Sequence, residues 1–213
     1  MNARLTFQWF VLFFSLALPM TAAAQDDPSV FVRFYYSSWM DGDVAKSPLD
    51  PNGAFTGDQG LEKNRKTELE FIFWRRVGLS GSRYYLSRQF TDQTGGTAIC
   101  ASPPCDVTEN GIFQTYNVTL YGKAVTHNQF NFFLGAGSGK GDYDYYLDGV
   151  RQNKGELFTD LATTRYFLGL EYTYQRIGFR FEINRIIASK TYQGETAEVE
   201  ETLNYLTVFI PLN

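Results

Sequence analysis

His127 is the only histidine in the 213-residue sequence, so it limits the acid–base chemistry that the chain can offer. Serine-type hydrolysis needs a histidine beside a serine, with an acid that orients the imidazole ring. The local sequence is Thr126-His127-Asn128-Gln129, which holds no serine. We therefore expect His127 to be an ordinary solvated turn residue. No catalytic residue is predicted, and we interpret the protein as non-enzymatic.

The two cysteines, Cys100 and Cys105, flank the sequence Ala-Ser-Pro-Pro in a polar stretch. In an oxidising compartment this spacing predicts a small loop closed by a disulfide. A zinc site is the competing interpretation, but zinc needs about four ligands and His127 is the only histidine.

Acidic residues cluster at Asp41-Gly42-Asp43, at Asp142-Tyr143-Asp144 and at Asp148. Such oxygen-rich clusters can hold a divalent cation between lipid phosphates, yet their spacing matches no known calcium loop. We favour solvated surface for them. Neither a metal site nor a cofactor is predicted.

Residues 1–24 have the layout of a cleaved signal peptide. Arg4 supplies the positive start, an apolar run follows from Leu5 to Leu18, and Ala22-Ala23-Ala24 supplies the small-residue cleavage site. A lone membrane anchor is the alternative, but the alanines and the polar residues after them weigh against it. We expect export from the cytoplasm and a single mature domain at 25–213.

The composition excludes several classes of protein. An aromatic content of 17% is too high for a disordered chain, and a net charge of −4 gives no general attraction to nucleic acid. A mean hydropathy of −0.27 argues against a bundle of membrane helices. It does not argue against a membrane barrel, because the strands of a barrel are apolar on one face only.

Segments of about ten residues with period-2 alternation recur along the chain. They predict eight strands near 29–39, 67–75, 82–90, 112–123, 129–140, 161–173, 176–187 and 203–212. The connections between them are alternately long (41–66, 91–111, 141–160 and 188–202) and short (75–81, 125–129 and 174–175). Long loops on one rim and tight turns on the other are typical of outer-membrane barrels. Seventeen of the 23 acids lie in the long connections and far outnumber the bases there.

Alternation divides each predicted strand into an apolar and a polar face. The apolar face includes Phe34 in the first strand, Phe71 in the second, Tyr84, Leu86 and Phe90 in the third, Leu168 in the sixth and Phe181 in the seventh. The polar face includes Arg33, Glu68, Glu70, Arg83, Arg165, Glu171, Arg180 and Glu182. Because the interior of an eight-stranded barrel is just filled by side chains, we expect these arginines and glutamates to pair inside and block the bore. The alternatives are a narrow open channel and a soluble periplasmic barrel with the two faces exchanged.

Several stretches resemble the small eight-stranded outer-membrane β-barrels of Gram-negative bacteria. They are FNFFLGAGSGKG at 130–141, LNYLTVFIPL at 203–212 and GDQGLEKN at 57–64, together with the signal-like start. The resemblance implies an all-β, antiparallel, up-and-down transmembrane barrel in an uncharacterised subfamily. It also implies insertion by the barrel-assembly machinery, with lipopolysaccharide as a neighbour. Lipid A-modifying enzymes also occur on such barrels, and an enzyme of that kind would depend on His127.

Arg88 and Arg185 fall on the apolar face by alternation, near the rim that carries the long connections. Arginines at this level are candidates to contact lipopolysaccharide phosphates through bidentate hydrogen bonds. The alternative is a long side chain that reaches the headgroups without a specific partner. The favoured function is a structural or surface-interacting barrel that acts through acidic extracellular loops.

Overall fold

The computed structural model describes residues 30–46, 60–61, 64–92, 105–126, 129–152, 155–174 and 177–212. Within these ranges eight long strands follow one another: β1 (Val30–Lys46), β2 (Arg65–Phe73), β3 (Val77–Asp92), β4 (Cys105–Tyr121), β5 (Gln129–Leu147), β6 (Leu161–Tyr174), β7 (Ile177–Tyr192) and β8 (Glu195–Pro211). A single 3₁₀ turn spans Glu156–Phe158. No helix in the described ranges is long and apolar enough to cross a membrane. The predicted signal peptide at 1–24 lies outside them.

The eight strands form a closed antiparallel ring. Each strand pairs with its neighbours along the chain, and β1 also pairs with β8. Tyr36, for example, lies opposite Thr67 of β2 on one side and Val208 of β8 on the other. Closure removes the unpaired edges that an open sheet would expose. The predicted fold class, an eight-stranded antiparallel up-and-down barrel, is confirmed.

Five strands, β1, β4, β5, β7 and β8, extend at least five residues further towards the long connections than predicted, and the connection predicted at 188–202 is wrong. β7 and β8 continue through this segment and are joined by a two-residue turn, Gln193-Gly194, with φ values of 52° and 88°. Asp148-Gly149 makes a similar turn after β5, with φ values of 47° and 75°. Two residues with positive φ form the tight hairpin turn that matches the twist of paired strands.

The reason for this error is an inversion of the alternation along the strands. In the lower half of β7, Phe181 points outward and Arg180 and Glu182 point inward; further up, Ile186 and Ala188 point inward. In β4, β5 and β8 the upper parts likewise bury apolar residues and turn polar ones outward, apart from Glu109 and Glu201, whose side chains are buried. An apolar inside and a polar outside is the pattern of a sheet in water. We call this part the barrel extension: residues 105–111, 141–147, 185–192 and 195–203.

The face prediction for β3 is wrong. Tyr84 and Leu86, predicted to face outward, are buried in the barrel, whereas Arg83, predicted to face inward, is exposed on the outer wall. Pairing with β2 explains the result, because Ser82 lies opposite Glu68 and Tyr84 opposite Lys66. Residues directly opposite each other share a face of the sheet. The inward direction of β2 therefore determines that of β3.

Candidate functional site

Eight buried charged side chains from β1, β2, β6 and β7 cross the middle of the bore. They are Arg33, Lys66, Arg165, Arg180, Glu68, Glu70, Glu171 and Glu182, and none is more than 3% exposed. We call this set the charged layer. Four cations face four carboxylates, so its formal charges balance. Seven of the eight were predicted as lumen residues; Lys66 was missed because it was assigned to the 41–66 connection.

Glu182 is the centre of one half of the charged layer. Its Oε1 accepts from Lys66 Nζ at 2.7 Å and from Arg165 Nη2 at 2.5 Å, and its Oε2 lies 3.0 Å from Arg180 Nε. Lys66 also lies 2.8 Å from Glu68 Oε2. Buried charges are stable only when paired in this way, since removal from water is costly for each of them. The cluster therefore holds together as a unit.

The other half of the layer joins Arg33 to Glu171 and centres on Glu70. Arg33 Nη1 donates to Glu171 Oε1 at 2.9 Å. Glu70 Oε2 accepts from the hydroxyl of Tyr121 at 2.6 Å and from that of Tyr35. Aromatic rings stack against the buried cations, with the Arg180 guanidinium 3.6 Å from the centre of the Phe133 ring. Cation–π contacts of this kind stabilise a desolvated cation.

Neutral polar side chains complete the layer on the side of β3 and β4. Ser80 Oγ donates to Glu68 Oε1 at 2.6 Å. Asn117 Nδ2 donates to the Ser80 and Ser82 hydroxyls, each at 3.1 Å. On the opposite wall Arg165 Nε donates to Asn184 Oδ1 at 2.6 Å. Hydrogen-bonding side chains thus extend the charged layer to β3 and β4.

Apolar side chains fill the bore on both sides of the charged layer. The cluster on the side of the extension consists of Tyr84, Leu86, Phe113, Tyr143, Leu161, Ile186, Ala188, Ala197, Val199, Leu203 and Tyr205. The cluster on the side of the short turns consists of Ile72, Tyr121, Val125, Phe133 and Phe167. The charged layer therefore lies between two apolar layers, where the sequence predicted ion pairs alone. Glu109 and Glu201 are two further buried carboxylates at the level of the extension.

The 3₁₀ turn covers the mouth of the bore at the extension. Leu157 and Phe158 pack against the apolar cluster on the side of the extension. Lys190 Nζ donates to the Thr159 carbonyl oxygen at 2.8 Å, and the backbone N–H of Asp160 donates to Asp142 Oδ1 at 3.0 Å. These bonds tie the turn to β7 and β5. The cap adds a further obstruction above the three layers.

The outer wall carries a belt of exposed apolar side chains at the level of the charged layer and below it. Its members include Phe34, Leu69, Phe71, Phe132, Leu134, Leu168, Leu170, Phe179, Phe181, Leu206 and Val208. A continuous apolar band around a closed barrel far exceeds the patches that a protein in water exposes. An apolar exterior with a polar interior is the arrangement of transmembrane barrels. The soluble alternative, with the faces exchanged, does not fit this belt.

The remaining predicted sites have different outcomes. Arg185 lies on the outer wall with its guanidinium paired to the Glu200 carboxylate. The backbone of Arg88 lies opposite Glu109, but its side chain is outside the described part of the chain. Cys100 and His127 also lie outside it. The disulfide with Cys105, which begins β4, and the phosphate contacts of both arginines stay predictions. No group of three His, Cys, Asp or Glu residues within the described ranges is arranged to hold a metal ion.

No family model matches the sequence, and no curated protein matches it. Solved structures do match. Neisserial surface protein A (NspA) has 8% identity and a TM-score of 0.51 over 85% of this chain and 96% of that chain. Ail, the attachment invasion locus protein of Yersinia pestis, solved with the heparin analogue sucrose octasulfate, has 12% identity and a TM-score of 0.46 over 86% of this chain and 97% of that chain.

The outer membrane protein OprG from Pseudomonas aeruginosa also matches, with 12% identity and a TM-score of 0.46 over 86% of this chain and 95% of that chain. At such identities the likeness concerns the fold. The NspA match agrees with the closed ring of eight strands. This chain therefore has the fold of the small eight-stranded outer-membrane β-barrel proteins.

Proposed function

We propose that the protein is an integral outer-membrane barrel with a closed bore, which presents its extension and acidic loops at the cell surface. The observation that carries this proposal is the layered interior. Two apolar clusters enclose a charge-balanced layer whose ion pairs are as short as 2.5–3.0 Å. A solute would have to separate these pairs and cross both apolar clusters. Transport through this bore is therefore strongly disfavoured.

Conductance in planar bilayers tests the closed bore. We expect the refolded barrel to insert without producing current steps above those of the bare bilayer. A large general porin in the same bilayers shows that steps are detectable. Reproducible steps from the inserted protein would favour the alternative, a narrow channel for small solutes.

The surface role rests on the charge of the outward side of the extension. Asp106 and Asp142 project from β4 and β5 there, and both are exposed. We propose that lipopolysaccharide is the neighbour of this surface and that the barrel-assembly machinery inserts the protein. Depletion of that machinery should lower the amount of folded barrel in the outer-membrane fraction.

We also propose that the barrel is not an enzyme. The charged layer holds its carboxylates in ion pairs, away from lipid and water, where they cannot reach an ester bond. Mass spectra of lipid A from cells with and without the protein should be identical. A mass change that disappears in His127→Ala would instead establish the lipid A-modifying alternative.

A further inference from the structure

The outer wall of the barrel contains a groove of about 290 Å³ where β1 to β4 run side by side. Leu69, Phe34 and Tyr116 form its apolar sides, and Arg83 and Gln114 lie at its upper end. Seven of the ten residues that line the groove are exposed on the outer wall, so it faces the medium around the barrel. Because the groove lies at the upper edge of the apolar belt, one of its ends is apolar and the other is polar.

The strand register explains this shape. Thr67, Arg83 and Gln114 lie opposite one another in one outward row. In the next row towards the short turns, Gly81 lies between Leu69 and Tyr116. Because Gly81 has no side chain, the wall is hollow at this point, and Tyr116 stands beside it 79% exposed. The hollow continues directly into the polar row.

Two arginines at the polar end have no carboxylate partner in the described part of the chain. Arg65, which is also exposed on the outer face, lies opposite Tyr85, two positions from Thr67 and hence diagonal to Arg83. Diagonal neighbours in antiparallel strands are about 7–8 Å apart. Arg185 and Arg151, by contrast, pair with Glu200 and Asp144. Arg65 and Arg83 are therefore available for an external anion.

We propose that the groove binds the lipid A part of one lipopolysaccharide molecule. An acyl chain lies over Gly81 between Leu69 and Tyr116, while a phosphate accepts hydrogen bonds from Arg83 and Arg65. Guanidinium groups suit phosphate because their donors match its oxygens in pairs. The upper edge of the belt is the level of the lipid headgroups on the side of the long connections. The inference rests on the proposed outer-membrane location, which puts lipopolysaccharide at that level.

Competition for the refolded barrel in detergent micelles tests the proposal, with bound lipid counted by native mass spectrometry. The competitors are bis-phosphorylated lipid A, dephosphorylated lipid A and phosphatidylglycerol. We expect one molecule of bis-phosphorylated lipid A to be retained at least about tenfold above the other two. The double variant Arg65→Gln/Arg83→Gln should lower this retention about tenfold to hundredfold, as expected for the loss of charged hydrogen bonds. Arg151→Gln, which removes a paired arginine, should have no effect.

A second pair of variants tests the groove itself. Gly81→Leu should fill the hollow and lower lipid A retention, whereas Gly81→Ala should keep it. A Cβ at position 81 meets the Tyr116 ring only at 3.9 Å, an ordinary contact. Strand content by circular dichroism and the mobility of unboiled protein in gels confirm that each variant is folded.

Equal retention of phosphorylated and dephosphorylated lipid A would overturn the proposal, as would phosphatidylglycerol held as strongly as lipid A. Unchanged retention in the arginine double variant or in Gly81→Leu would overturn it too. If the native barrel does not insert into vesicles, the proposed membrane location fails as well. If it inserts but shows no lipid preference, this inference alone fails.

Discussion

Glu182 carries more of the charged layer than any other carboxylate, since three cations contact it within 3.0 Å. Its partners come from β2, β6 and β7, so the loss of its negative charge affects cations on three strands. Lys66, Arg165 and Arg180 would then face one another without a shared counter-charge. Stability at this level depends on charge balance as much as on the number of contacts.

We expect Glu182→Gln to lower the free energy of unfolding by about 3–5 kcal/mol, because it leaves a buried cation unpaired. Urea titration of the barrel in vesicles, followed by tryptophan fluorescence, measures this. Asp160→Asn serves as the control, because its partner Lys140 and the aspartate are both exposed, and it should change stability by less than about 1 kcal/mol. Adding Lys66→Met to Glu182→Gln should recover part of the loss. Equal effects of Glu182→Gln and Asp160→Asn would contradict the prediction.

Close packing of β4 against β5 gives a second prediction. A Cβ on Gly139 would overlap the carbonyl oxygen of Gln114 in the neighbouring strand, whereas one on Gly81 meets open space or ordinary contact. Gly139→Ala should therefore lower the free energy of unfolding by about 1–3 kcal/mol, and Gly81→Ala by no more than about 0.5 kcal/mol. The same urea titration compares the two. A neutral Gly139→Ala would show that the strands can separate at little cost.

At the scale of the strands, the apolar residues change from the outward to the inward face at the level where the apolar belt ends. We expect the outer wall to contact lipid below this level and water above it. In β8, Thr202 and Leu206 share the outward face, but only Leu206 lies in the apolar belt. In a chain with Cys100 and Cys105 replaced by serine, a membrane-impermeant thiol reagent should label Thr202→Cys and leave Leu206→Cys unlabelled. Labelling of both would mean that the belt does not contact lipid.

Period-2 alternation was sufficient to predict the number and order of the strands and the faces of seven of them. It failed in β3, because Tyr84 and Leu86 are apolar residues of the interior and Arg83 is a cation of the outer wall. Only the pairing with β2 resolves that choice, and pairing partners are not visible within one strand. It also failed at 188–202, where apolar residues change sides. The Asp148-Gly149 dipeptide was a usable signal for a tight turn that the prediction did not use.

The interior of the site was predictable only in part. Arginines and glutamates stand out in an alternating strand, so seven members of the charged layer could be identified by type. Lys66 was lost with the misplaced start of β2, and the hydroxyls of Tyr35 and Tyr121 could not be assigned because tyrosines also populate the outer belt. The pairing of each carboxylate with its cation depends on how the closed ring of eight strands curves.

At the scale of the whole molecule, the two rims face opposite sides of the membrane. A short epitope inserted in the connection between β1 and β2 should be recognised by antibody on intact cells. The same epitope inserted at 127–128, in a short turn, should be recognised only after the outer membrane is permeabilised. The reverse result would mean that the barrel sits in the opposite orientation.

The hairpin of β7 and β8 has a consequence for reach. β8 extends nine residues beyond the belt, from Asn204 to Glu195. At about 3.3 Å per residue and a strand tilt near 40°, the tip of the hairpin lies about 20 Å above the belt. The apolar cluster on the side of the extension packs against this hairpin and makes it rigid. A partner that binds the tip of this hairpin would therefore contact backbone held above the apolar belt and would not need to displace the lipid around the belt.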